Sequence, residues 1–215
     1  MHRVEDEEIV PGDGAEQAYS LGRVLAISDG VFAFALTLLV VQLAIPTTGT
    51  PESLTTRLVE QGPSYFSYAL SFAVIALTWS GHHEMFKYIR RVDGRLIALN
   101  FVSLLLTAVL PFPTAVLGHN ASNPVAAVLY AITIALSGGA AAATWWYATH
   151  RRRLVDRDLS GPILRRRFYL SLMVPAVFLL SIPIAWWRPH IAEIAWAVIW
   201  IAFFLVLRRY IDRFA

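Results

Sequence analysis

The 215-residue chain contains no cysteine, and of its 18 basic residues only Lys87 is a lysine. The first absence excludes disulfides, thiolate zinc sites, iron–sulfur clusters and cysteine nucleophiles. Charge is also scarce. Asp, Glu, Lys and Arg make up 15% of the chain, against about 25% in an ordinary soluble domain. No serine lies in a G-x-S-x-G elbow or beside a base that a third group could orient, so the sequence offers no hydrolase and points to no enzyme. The N-terminal segment MHRVEDEEIVPGDGAEQAYSLG is too acidic for a signal peptide, which implies that the apolar run after it is retained.

What the chain does have is apolar length. Hydrophobic residues make up 57% and aromatics 13%, including seven Trp, a residue that favours the water–lipid boundary. A helix crossing the hydrocarbon core takes about 20 apolar residues. Six segments qualify: Leu21 to Ile45, Ser64 to Phe86, Leu96 to Leu117, Pro124 to Thr149, Phe168 to Trp186 and Ile191 to Leu207. The expected fold is all-α, an integral membrane domain over 21–215 behind a cytoplasmic tail over 1–20. Sixteen basic residues fall on one side of these spans, seven of them between 151 and 167, and only Arg57 and Arg188 on the other. The positive-inside rule places both termini and the two basic loops in the cytoplasm. Topology alone accounts for the arginine runs, so nucleic acid is not expected as a partner, whereas membrane lipid is.

Ionisable groups inside a span are costly unless they find partners. Asp29 sits in the first span, six residues after Arg23, about 120° round the helix and too far to meet it directly. Ser28, Trp79, His82 and Asn100 fall at the same depth on the first three spans, and a hydrogen-bonded lock among these six residues is expected. WSGHHEMF also holds His82, His83 and Glu84, but consecutive helical residues diverge by about 100°, unlike the i, i+4 spacing of helical metal sites, so no metal site is expected. Ala26, Gly30, Ala33 and Thr37 form a stripe of small residues on the first span, with Phe34 and Val41 flanking it and Asp29 on the opposite side. Such a stripe permits close helix contact, either inside one subunit or against a symmetry axis.

RVLAISDGVFAFALTLLV resembles the R-x-x-x-F-S-D signature on the first helix of the prokaryotic transmembrane-protein-175 potassium channels. ALTWSGHHEMFKYIRRVDGRLIALNFVSLLLTAVLPFPTAVL is similar to that family's second and third helices, with its Trp three residues before a His, then an Asp, an Asn and a Pro. The likeness covers residues 20 to 118; beyond that, only hydropathy agrees.

The resemblance implies a potassium-permeable channel in the bacterial plasma membrane. It would be a homotetramer of six-helix subunits with first helices around a central pore, and no cofactor or metal beyond transient potassium. The T-V-G-Y-G carbonyl filter of most potassium channels is absent. By the resemblance, Arg23, Ser28, Asp29, Trp79, His82 and Asn100 form the signature network and Phe34 is the pore constriction. Thr37, Leu38 and Val41 line the path. Ile27 stands where the signature has an aromatic, which would remove a ring from the packing around the lock. Phe34 stands where the constriction usually has Ile or Leu. A proton-coupled secondary transporter using Asp29 and His82 is the alternative, and a non-conducting scaffold a third, but the first span lacks the broken-helix pattern of many transporters.

Overall fold

The computed structural model describes residues 13–47, 50–156 and 158–211. They form eight α-helices in chain order: α1 (Asp13–Val41), α2 (Pro51–Glu60), α3 (Gly62–Phe86), α4 (Gly94–Val109), α5 (Pro111–His119), α6 (Pro124–Thr149), α7 (Gly161–Trp187) and α8 (Pro189–Ile211). α1 begins inside the segment read from sequence as a tail, and residues 1–12 lie outside the described ones. The helix α2 was also not anticipated. Its start is built locally, with Pro51 in the first turn and Thr50 Oγ1 accepting from the Ser53 amide at 3.3 Å.

Four described helical stretches are long and apolar enough to cross a membrane: Ser20–Val41, Gly94–His119, Pro124–Arg152 and Gly161–Trp187. The second of these joins α4 and α5. Pro111 has no amide hydrogen to donate, and the Leu110 amide turns instead to the Thr107 carbonyl at 3.1 Å, so the helix is broken without ending. α3 has 25 residues, about 37 Å at 1.5 Å per residue, yet is less apolar because its interior face carries buried Ser67, Ser71 and His82. In α8 the apolar run described is Pro189–Ile201. α7 continues through Pro175 and Pro183.

Side-chain caps also set the starts of α4 and α6. Asp93 Oδ1 accepts from the Leu96 amide at 2.8 Å, and Asn123 Oδ1 accepts from the Val125 amide at 2.9 Å ahead of Pro124. Two glycines permit close helix contact. A Cβ on Gly118 would lie 2.9 Å from Ser64 Cα on α3, and one on Gly138 would lie 2.8 Å from Pro175 Cδ on α7. The main core gathers Phe32 and Leu39 of α1, Val74 and Ile75 of α3, Leu104 of α4, Tyr130 and Ile134 of α6, Phe178 of α7 and Trp196 of α8. A second core joins Phe86, Ile89, Leu96, Trp145, Leu154 and Val155 under the basic loops.

Candidate functional site: the two faces of α1

The 100° step of α1 divides its side chains between two environments. Ser28, Phe32, Ala35 and Leu39 are buried among α3, α4 and the rest of the bundle. Ala26, Ile27, Gly30, Ala33, Phe34, Thr37, Val40 and Val41 are exposed on the single chain, Phe34 at 62% and Val41 at 72%, and Leu38 is half-buried between the two faces. A Cβ added to Gly30 would meet nothing within 4 Å. Among the described residues the stripe of small residues thus stands exposed, which speaks against the reading in which it serves contacts inside one subunit.

Ile27, Phe34 and Val41 are seven residues apart and fall within about 40° of one another on the exposed face. Ile27, read from sequence as a gap in the packing around the lock, thus stands on the outward face beneath Phe34. The seven-residue spacing was the signal that could have placed it there. Thr37 Oγ1 donates to the Phe34 carbonyl at 2.9 Å, so its remaining lone pairs turn outward.

Five of the six residues grouped as one lock fall into two hydrogen-bonded sets. In the buried set, His82 Nε2 donates to Asn100 Oδ1 at 2.8 Å, Asn100 Nδ2 donates to Ser28 Oγ at 3.0 Å, and Ser28 Oγ donates to the Val24 carbonyl at 2.8 Å. The chain runs in one direction. Ser28 has one hydrogen and gives it to Val24, so the atom of Asn100 facing Ser28 must be its amide nitrogen, and the proton toward His82 must come from Nε2. His82 also lies between rings, 4.4 Å from Phe86 and 5.5 Å from Phe32, and its Nδ1 has no hydrogen-bond partner among the described residues.

The second set is at the rim. Trp79 Nε1 donates to Asp29 Oδ1 at 2.8 Å, with both residues exposed on the single chain. Asp29 is thus partnered by α3 of the same chain, but it is not enclosed by the bundle as expected. Arg23 is exposed on α1. His83 stacks on Trp79 at 5.6 Å, and Glu84 is engaged by Lys87 and by Arg167 Nη2 at 3.1 Å. His82, His83 and Glu84 thus face three different sets of neighbours.

Residues 23–111 match the family model described as the endosomal/lysosomal potassium channel TMEM175. A protein named potassium channel from Streptomyces collinus is 39% identical over 148 residues, spanning 67% of this chain and 72% of the relative. The endosomal/lysosomal proton channel TMEM175 of Bos taurus is 37% identical over 97 residues, which are 41% of this chain and 20% of that much longer protein. Among solved structures, the crystal structure of a lysosomal potassium-selective channel TMEM175 homologue from Chamaesiphon minutus superposes with a TM-score of 0.77 at 28% identity, over 87% of this chain and 97% of that one. The family-model match spans most of α1 and the α3–α4 hairpin behind it, and the chain belongs to the TMEM175 family.

Proposed function

We propose that the chain is a potassium-permeable cation channel of the bacterial plasma membrane, assembled as a homotetramer of six-span subunits around a pore lined by α1. The observation that carries this reading is the composition of the exposed α1 face. A helix face turned to lipid carries large apolar side chains, as α7 does with Leu179, Leu180, Trp186 and Trp187 exposed. The α1 face instead exposes Ala26, Gly30, Ala33 and Thr37, small residues that gain little from lipid and allow close approach of another helix. Phe34 and Val41 stand on the same side.

In this assembly Phe34 forms a ring-lined neck at which an ion must shed water, and the Thr37 hydroxyl oxygens offer a polar ring one turn away. Leu38 and Val41 continue the lining. A hydrophobic constriction gates by expelling water, and the phenyl rings would have to rotate to admit a partly hydrated ion. The Ser28–Asn100–His82 chain fixes the rotation of α1 against α3 and α4 and so aims Phe34. Arg23 and the Trp79–Asp29 pair stand at the cytoplasmic mouth. The bonds of Asp29 and His82 go to different partners and no hydrogen bond joins them, so the geometry favours a channel over a carrier that passes protons between the two.

The experiment is flux into liposomes holding the purified full chain, with a potassium gradient and with sodium, caesium and a proton-sensitive dye as separate arms. Potassium entry that follows the applied potential supports the channel. Uptake seen only with a proton gradient would favour the carrier, and no cation movement at all would leave the scaffold.

A further inference from the structure

We propose that the cytoplasmic corner between α6 and α7, together with the α3–α4 loop, is a binding surface for the phosphate headgroups of anionic phospholipids in the inner leaflet. The inference rests on the orientation proposed above but not on ion conduction.

Arg91, Arg95, Arg151, Arg165 and Arg166 are all exposed and have no ion-pair partner among the described residues. Other arginines of the same loops are used structurally. Arg90 faces Asp156 at 3.7 Å, Arg152 Nη1 donates to the Leu159 carbonyl at 2.8 Å, Arg153 Nη1 donates to Tyr147 Oη at 3.1 Å, and Arg167 reaches Glu84 and Tyr88. The division separates arginines that build the corner from arginines it presents.

The corner is rigidly built. Ile89 and Val155 form an antiparallel bridge, the Arg90 amide donates to the Leu154 carbonyl at 2.8 Å, and Tyr147 Oη donates to Asp93 Oδ2 at 2.6 Å. Ile89, Leu154 and Val155 are buried beneath, and Trp145 Nε1 donates to the Leu164 carbonyl at 3.3 Å, tying α6 to the first turn of α7. A signal for topology needs only the charge of these loops. A surface that binds phosphate gains from arginines whose backbone is already held, since the cost of ordering them is not met on binding.

A second observation is conformational. Arg151 and Arg152 both have φ of 53°, in the left-handed region that side chains rarely adopt. The fold uses this reversal to return the Leu154 amide to the Ala148 carbonyl at 3.0 Å, for which glycine would serve with less strain. Arg152 is retained by its bond to Leu159. Arg151 projects from the corner with no such bond, its charge the feature that glycine would lack. Trp146 and Tyr169 are exposed nearby, at 53% and 69%, and set the corner at the depth where aromatic side chains meet headgroups.

The test is thermal unfolding of the full chain in nanodiscs of phosphatidylcholine alone or with phosphatidylglycerol, with lipid retention read by native mass spectrometry. Anionic lipid should raise the melting temperature of the natural chain, and the increment should fall as salt is raised. An arginine near an anionic surface changes affinity by roughly fivefold, so R151G, R165Q and R166Q together should weaken phosphatidylglycerol retention by roughly 100-fold. R151G alone should unfold no earlier in phosphatidylcholine, because it relieves the left-handed strain, and should still lose part of the anionic increment. R165K/R166K should keep most of it. Equal increments in the natural chain and the triple variant, or none in the natural chain, would overturn the proposal, as would displacement of the effect by soluble RNA at equal phosphate concentration.

Discussion

Asn100 is the residue on which the buried polar set turns, since it alone bonds both His82 and Ser28. Replacing it with Leu keeps the volume but leaves the His82 Nε2 proton without an acceptor inside the core, a loss of about 1–3 kcal/mol. His82→Phe would fill the space between the Phe32 and Phe86 rings and leave Asn100 short of a donor instead. In the double variant neither orphan remains. The two single variants should therefore each melt earlier than the natural chain, and the double variant should lose less than their sum, with a coupling of about 1 kcal/mol or more read from a thermal cycle in detergent. Additive losses would show that the His82–Asn100 bond does not tie α3 to α4. Phe34 calls for a different readout. Phe34→Ala leaves the bundle untouched, because the ring is exposed on the single chain, so folding should be unchanged while single-channel conductance rises roughly severalfold. An unchanged conductance would remove Phe34 from the neck.

Among the helices, α3 and α5 come close enough at Gly118 to meet backbone to backbone. Gly118→Ala would bring a methyl group to 2.9 Å from Ser64 Cα, where backbone rather than a flexible side chain must yield. Overpacking of this kind costs about 1–3 kcal/mol, so the variant should melt earlier, whereas Gly30→Ala, with open space on the single chain, should leave the monomer's fold intact and act on assembly alone. This is also the scale at which the sequence was most and least legible. Hydropathy found the long helices because lipid demands apolar length, and the depth argument put Ser28, Asp29, Trp79, His82 and Asn100 at one level without saying which bonds to which. It could not divide those residues into a buried chain and a rim pair, because depth fixes height along the membrane normal and leaves rotation about each helix open. α2 escaped notice because its signal, Thr50 followed by Pro51, is a capping signature carried by a segment too polar and short for a span. The start of α1 at Asp13 was hidden for a related reason: acidic residues and Gly14 read as a tail, yet Asp and Glu are favoured in the first turn of a helix.

For the whole molecule, the consequence of α1's rotation can be measured without any ion current. The chain has no cysteine of its own, so a single introduced thiol reports on one position against a silent background. If the exposed face of α1 meets other copies around an axis, Ala33→Cys and Thr37→Cys should be joined between subunits by a short bifunctional thiol reagent in native membranes and give a dimer band on a denaturing gel. Ala35→Cys, on the buried face of the same helix turn, should not. Leu180→Cys, on the lipid-like face of α7, serves as a second control, because it is more exposed on the single chain than Phe34 or Val41 and should cross-link weakly if exposure there reflects lipid. The contrast between positions 33 and 35 is the informative quantity: both lie at the same membrane depth and differ by about 200° of rotation. Cross-linking at 180 with none at 33 or 37 would place another face of the bundle at the subunit contact and leave α1 away from any shared axis. Cross-linking at 33 and 37, with flux blocked when a charged thiol reagent reacts at 37, would tie the subunit contact and the ion path to the same helix face.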